Sequence, residues 1–166
     1  SFAEASDGGV VIQPDIEVYR ELKLRLLNGA HTLGGGLAHL CGFSTVVEAM
    51  ENPYFSTFLE NLLEKEIAPA IPYSVAPEMA RNFGISVLER FKNPYIKHKW
   101  LSITSNYSAK MQSRVMPTLL NFKKLNKKTP HSIFFGLAAY IYFMRPTRKD
   151  GDQYFGLANG KPYLIQ

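Results

Sequence analysis

The residues best suited to chemistry lie in one short stretch, Lys23-Leu-Arg-Leu-Leu-Asn28-Gly-Ala-His31-Thr32. A lysine in a half-buried pocket can have its pKa lowered toward neutrality, which makes it a usable general acid or base. An asparagine amide and a histidine N–H can donate to a developing alkoxide and stabilise it. On an ideal helix His31 lies about 80° and Asn28 about 140° round from Lys23. All three can then look into one cleft while Leu24, Leu26 and Leu27 pin the helix to a core. The same stretch also fits an ordinary amphipathic helix with a solvated Lys23, an Asn-Gly C-cap and a core histidine. The bare Lys-x4-Asn-x2-His pattern does not choose between the two.

Other reactive side chains offer less. His31 and His39 are about two helical turns apart, but no carboxylate has the spacing of a HExxH zinc site, so no metal is expected. Cys41 is the single cysteine. It excludes an internal disulfide and a Cys-based zinc site, and its apolar, Gly-flanked context reads as buried and inert. Glu48 and Glu51 read as a solvated face or a cap partner. Gly34-Gly35-Gly36 follows helical sequence rather than a strand, so it reads as close helix packing and not as a dinucleotide turn. Gly156 to Pro162 misses the phosphate-loop spacing by one and puts proline where Ser or Thr is needed.

The elements that must position these residues are mostly helices. A short strand, Val10-Val11-Ile12, is stopped by Pro14. Asp15 is the N-cap expected for a helix bearing Ile16, Tyr19, Leu22, Leu26 and Leu27 at helical spacing. Ser44 caps a second, and Asn52-Pro53 opens a third with Phe55, Phe58, Leu59, Leu62, Leu63 and Ile67 on one stripe. Pro69 and Pro72 end it. Pro77 starts a helix to about Phe91. Helical sequence resumes at Ile96, Trp100, Leu101 and Ile103, then at Met111, Val115, Leu119 and Leu120. Lys123 to Thr129 reads as a loop, and Ile133 to Met144 as an apolar helix with aromatics on all sides. Core packing accounts for those aromatics better than a ligand box, although an exposed part could meet another domain or subunit. The tail alternates weakly, as a loop or an edge hairpin. The fold class is mainly α.

The chain has 166 residues, 46% hydrophobic and 20% charged. That is globular composition, enough for one core. The net charge is +5. The excess gathers at Lys123–Lys128 and Arg145–Lys149, clusters that read as solvated. Nucleic-acid binding is not expected, because the lysines cluster in sequence away from aromatics and no nucleic-acid motif accompanies them. No apolar run reaches the roughly 20 residues of a membrane helix, and the N-terminus is no signal peptide. A cytoplasmic location is therefore expected, with no membrane partner.

Three strings occur in order: KLRLLNGAHT, then RFKNPYIKH from Arg90 to His98, then the Ser-x-Lys-x3-Arg of Ser108, Lys110 and Arg114. Together they resemble the signatures of the mannitol dehydrogenase family of long-chain polyol dehydrogenases. The resemblance covers about residues 10–145. Within the family, NGAHT and NPYIKHKWLSI look most like the tagaturonate (altronate oxidoreductase) branch. Fructuronate reductases and mannitol-type dehydrogenases are the alternatives.

The resemblance implies a multi-helical C-terminal domain of the 6-phosphogluconate dehydrogenase C-terminal-domain-like fold, which works with an N-terminal Rossmann domain that binds NAD. It implies metal-free reduction of a keto-uronic acid. Lys23 would be the general acid/base, and Asn28 and His31 would polarise the carbonyl oxygen. Lys110 would contact the sugar acid, with Arg114 and His98 as weaker substrate-binding candidates. A cleft with Lys23, His31 and Lys110 would attract a carboxylate. No cofactor-binding residue is expected in this chain. Residues 1–14 read as a remnant of the Rossmann domain or its linker, and 15–166 as the helical substrate domain, truncated at its C-terminus. Such a fragment is expected to be inactive alone. The rival expectation is a non-catalytic helical interaction module.

Overall fold

A computed structural model describes residues 14–158 and 161–164, with side chains of residues 157–163 left aside. The strand expected at Val10-Val11-Ile12 lies outside the described residues. The first helical rod is built in three pieces. Helix α1 (Glu17–Leu22) passes into a π turn, Lys23–Asn28, and then into α2 (Gly29–Leu40) without a break. Asp15 Oδ1 accepts from Glu17 N at 2.8 Å, although the chain enters the helix one residue later, at Ile16. Ile16 is 62% exposed and so leaves the expected stripe.

Helix α2 ends in a left-handed turn that favours glycine. Gly42 has φ 85. Gly42 N donates to His39 O and Phe43 N to Ala38 O, each at 3.0 Å, which closes the helix. Cys41 is the C-cap residue and is exposed, contrary to the expectation of burial: the closing turn holds it on the surface.

Helix α3 (Val46–Glu51) is capped by Thr45 rather than by Ser44. Thr45 Oγ1 accepts from Glu48 N, and the Glu48 carboxylate accepts from Ser44 N and Thr45 N. Asn52 caps α4 (Pro53–Asn61), which continues through a second π turn, Leu62–Ile67, to the short 3₁₀ turn Ala68–Ala70. Its apolar stripe is buried as expected, apart from a half-buried Phe58.

Helix α5 (Pro77–Phe91) starts and stops where its sequence indicates. Ile96 belongs to no helix; the helical path resumes at α6 (Trp100–Ile103) and α7 (Tyr107–Lys110). A third π turn, Met111–Val115, leads into α8 (Met116–Leu125). This helix runs two residues beyond Lys123, into the stretch expected to be loop. Lys123 and Lys124 sit in its last turn, where cations complement the helix dipole. Helix α9 (His131–Phe143) is capped by a distant residue: Glu66 accepts from Ser132 N and Ile133 N, both at 2.8 Å.

The tail is a three-stranded antiparallel sheet, β1 (Arg148–Asp150), β2 (Gln153–Ala158) and β3 (Lys161–Leu164). Gly151, at φ 57, takes the first central place of the β1–β2 turn. Register sets Arg148 against Phe155 and Lys149 against Tyr154, and each cation lies over its ring at 5.0 and 5.2 Å. Lys123 lies over Phe134 at 5.7 Å and Arg145 over Tyr142 at 5.0 Å. The cations are therefore not apart from aromatics, as the linear sequence had indicated. Pairing across strands and helices brings them together.

The core centres on α2. Trp100 and Tyr107 are buried against its glycines, and α9 crosses it. A Cβ on Gly34 would stand 3.2 Å from the Trp100 ring. One on Gly36 would stand 3.1 Å from Tyr107 Oη and 3.3 Å from Ala139 O. Gly136 on α9 is tighter still, since its Cβ would meet Leu33 Cδ2 at 2.8 Å and Leu33 O at 3.0 Å. Helix α9 also leaves part of its aromatic surface uncovered: Phe135 is 56% and Tyr142 58% exposed. Core packing thus explains only some of the aromatics expected inside. The backbone of α2 cannot yield to a new methyl, so Gly136→Ala should cost about 1–3 kcal/mol. Urea unfolding checks this, and a midpoint equal to that of the parent would refute the close-packing account.

Candidate active site

The π turn settles where the reactive stretch points. Gly29 N–H reaches back to Leu24 O, five residues, rather than four. Where bonds run i→i+5 the turn is wider, so residues five apart lie closer in angle than on an α-helix. Lys23 and Asn28 are five apart. They come to one side of the rod, closer than the ideal-helix angle allowed, and no C-cap forms at Asn28-Gly29.

Buried Arg25 holds this turn in place. Its Nε donates to Glu21 Oε2 at 2.9 Å, and one guanidinium nitrogen donates to Ser113 O at 2.7 Å and to Arg114 O at 3.2 Å. Ser113 O is available because Pro117, four residues on, has no N–H. In the sequence Arg25 stands out only as part of the KLRLLNGAHT string, and Glu21 lies just outside it. Their i,i+4 spacing was the available signal.

Lys23, Asn28 and His31 line one cleft of about 250 Å³ together with Arg90 and His98. Leu27, Val46, Phe91 and Ile96 supply its apolar walls. Lys23 is exposed, not half-buried as expected: it opens the π turn at the mouth of the cleft. The Asn28 amide makes no hydrogen bond among the described residues, which leaves it free for a ligand. His31 stacks on Phe91 at 4.2 Å and meets the rings of His98 and Trp100 edge-on at 5.4 and 5.9 Å. Burial, reinforced by His98, Arg114 and Arg90, pulls its pKa down to about 3. His31 is thus a neutral imidazole at working pH, able to donate one N–H but not to attract an anion by charge.

His98 is brought over the cleft by backbone pairing. Its carbonyl accepts from Val46 N at 2.9 Å, Thr45 bridges Lys99, and Trp100 N donates to Ser44 O. Lys110 and Arg114 are not among the cleft-lining residues. Lys110 Nζ donates to Ile103 O at 2.9 Å and Ser105 Oγ at 3.0 Å, and so staples the turn around Asn106, whose φ is 50. Burial and the neighbouring Arg114 lower its pKa. Arg114 donates to Thr32 Oγ1 at 3.4 Å and acts on His31 from behind the cleft. Arg90 was quoted only as the start of a string; its place at the cleft was not foreseen. Among the described residues no group of three His, Cys, Asp or Glu could hold a metal ion.

The profile of the mannitol dehydrogenase C-terminal domain matches residues 15–156. The chain belongs to this family. Curated mannitol dehydrogenase family relatives include altronate oxidoreductases. That of Yersinia enterocolitica is 38% identical over 148 residues, 89% of this chain and 30% of the relative. That of Escherichia coli O1:K1 is 39% identical over 157 residues, 95% of this chain and 30% of the relative. This chain therefore spans under a third of these relatives. Solved structures agree in fold. A substrate-free D-sorbitol dehydrogenase aligns with TM-score 0.75 and 26% identity over 83% of this chain and 28% of its own. Pseudomonas fluorescens mannitol 2-dehydrogenase, solved with NAD and D-mannitol, aligns at 0.75 and 22% over 93% and 30%. The mainly helical C-terminal fold of the mannitol dehydrogenase family is thus the fold of this chain.

The His31 environment has a consequence for stability. Unfolded, His31 takes a proton below about pH 6.5; folded, it stays neutral to about 3. The unfolded state binds more protons in that window, so stability falls as pH drops through it. Melting curves from pH 6.5 to 4 should show a shallower fall for His31→Phe than for the parent. Parallel curves would refute the neutral, buried imidazole.

Proposed function

We propose that the chain is the catalytic part of an NAD-dependent hexuronate reductase that converts tagaturonate to altronate. The observation that carries this reading is the meeting of Lys23, Asn28 and His31 in one acid-free cleft. The likeness to altronate oxidoreductases supports the substrate class.

The donors suit a ketone oxygen. Asn28 and the neutral His31 can each donate a hydrogen bond to it and stabilise negative charge as it develops. Lys23, at the mouth, delivers a proton to the forming alkoxide, and in the reverse direction accepts it. Leu27, Val46 and Phe91 keep the site apolar, which strengthens these polar contacts.

The same residues do not suit a dinucleotide. Among the described residues no strand leads through a glycine-rich turn into a helix, so NAD is assigned to a separate Rossmann domain. When bound, it supplies the hydride to the carbonyl carbon. In this reading residues 15–166 are the substrate domain and the enzyme is cytoplasmic. Among the described residues no helix is long and apolar enough to cross a membrane.

The test is NADH oxidation by the full-length protein with tagaturonate, fructuronate and fructose at equal concentration. Preference for tagaturonate is expected. Exposed Lys23 permits a folded Lys23→Ala variant, whose kcat should fall about 10²- to 10⁴-fold. Unchanged kcat would overturn the general acid/base role. No oxidation with any of the three would favour a helical interaction module.

A further inference from the structure

We infer that Arg90 is the carboxylate anchor of this cleft and sets its preference for a sugar acid over a neutral ketose; the inference rests on the keto-uronate reading. Arg90 occupies the last turn of α5 and lines the cleft together with Lys23, Asn28, His31 and His98. No acidic side chain lines the cleft. Among the described residues the Arg90 side chain makes no ion pair and no hydrogen bond. Arg90 is exposed at the rim, so its guanidinium, which has no counter-charge there, is open to an anion that enters the cleft.

The other cations named for the site are committed elsewhere, as is Arg25 beneath it. Lys110 holds Ile103 O and Ser105, Arg114 holds Thr32, and Arg25 is paired with Glu21. His31 carries no charge at working pH. Lys23 belongs with Asn28 and His31 at the carbonyl end in the proposed chemistry. Arg90 alone remains for the other end of the substrate, and its planar fork matches a carboxylate in bidentate geometry. Exposed His98 stands beside it as a second donor. A neutral ketose offers nothing that needs this fork. The cleft then offers two kinds of polar group beside its apolar walls, the amide and imidazole for the ketone and the guanidinium for the carboxylate.

A purely structural reading of Arg90 also exists, since a cation in a last helical turn complements the helix dipole. That role would move stability slightly and leave substrate choice alone. The test therefore reads selectivity: the ratio of kcat/KM for tagaturonate to that for fructose, in the full-length parent, Arg90→Gln and Arg90→Lys. Melting curves verify that each variant folds. The ratio should fall about 10- to 100-fold in Arg90→Gln, mainly through KM for the acid. Arg90→Lys should recover part of it, since it keeps the charge and loses the fork. A parent that prefers the acid, with its ratio unchanged in Arg90→Gln, overturns the anchor alone. A parent without preference for the acid overturns the keto-uronate reading and the anchor with it.

Discussion

One hydroxyl group holds the centre of this domain. Tyr107 donates to Thr32 O and accepts from Gly36 N, both at 2.7 Å. Those two backbone groups are four residues apart and would otherwise bond each other within α2. The tyrosine has entered the helix ladder, a known cause of local bending. Burial, foremost, raises its pKa well above the usual phenol range, so it remains a neutral donor. The intrusion favours glycine at 36, where a Cβ would stand 3.1 Å from the phenol oxygen, while one on Gly35 would press on Thr104 Cγ2 at 3.3 Å. Trp100 uses Gly34 in the same way, and α9 approaches with its own glycine. Everything packed around α2 takes its position from this small-residue face, including the rod that carries Asn28 and His31.

The π turn is the second constraint, and it converts a rigid scaffold into a site. Inserting one residue's worth of phase between α1 and α2 rotates Lys23 toward Asn28. Such a turn loses good helix geometry and needs support. Arg25 provides it by tying the turn to Glu21 on one side and to two carbonyls near Pro117 on the other. Breaking one partner of a buried pair is far costlier than the pair is worth in itself, so the arrangement specifies geometry more than it adds stability.

Much of this was legible in the sequence because periodicity and proline report local structure. The helices opened by Pro53 and Pro77, the α4 stripe and the last helix all stand close to their expected bounds. Features that depend on distant partners were not legible. The cap on α9 comes from Glu66, and the tail strands pair only through their register. The cations at 145–149 find their rings across turns. In the site, Lys23, Asn28, His31 and His98 do share a cleft, whereas Lys110 and Arg114 are drawn into holding the fold. Arg90 escaped notice because nothing local marks it; only the approach of α5 to the π turn gives it a role. Cys41 was misplaced because a glycine turn, not hydrophobicity, decides its exposure.

The cleft divides its labour by charge. A neutral histidine and a free amide line it together with Lys23 and an unpaired arginine, with no carboxylate to quench either cation. This arrangement suits a ketone that carries an acid group at a distance. The central claim is that Lys23 and Asn28, aligned by the π turn, hold the reacting oxygen. A crystal structure of the full-length protein with altronate and oxidised cofactor tests it most directly. The hydroxyl to be oxidised is expected within about 2.6–3.2 Å of Lys23 Nζ and of the Asn28 amide. Altronate bound in another groove, or in this cleft with its hydroxyl turned away from Lys23, would contradict it.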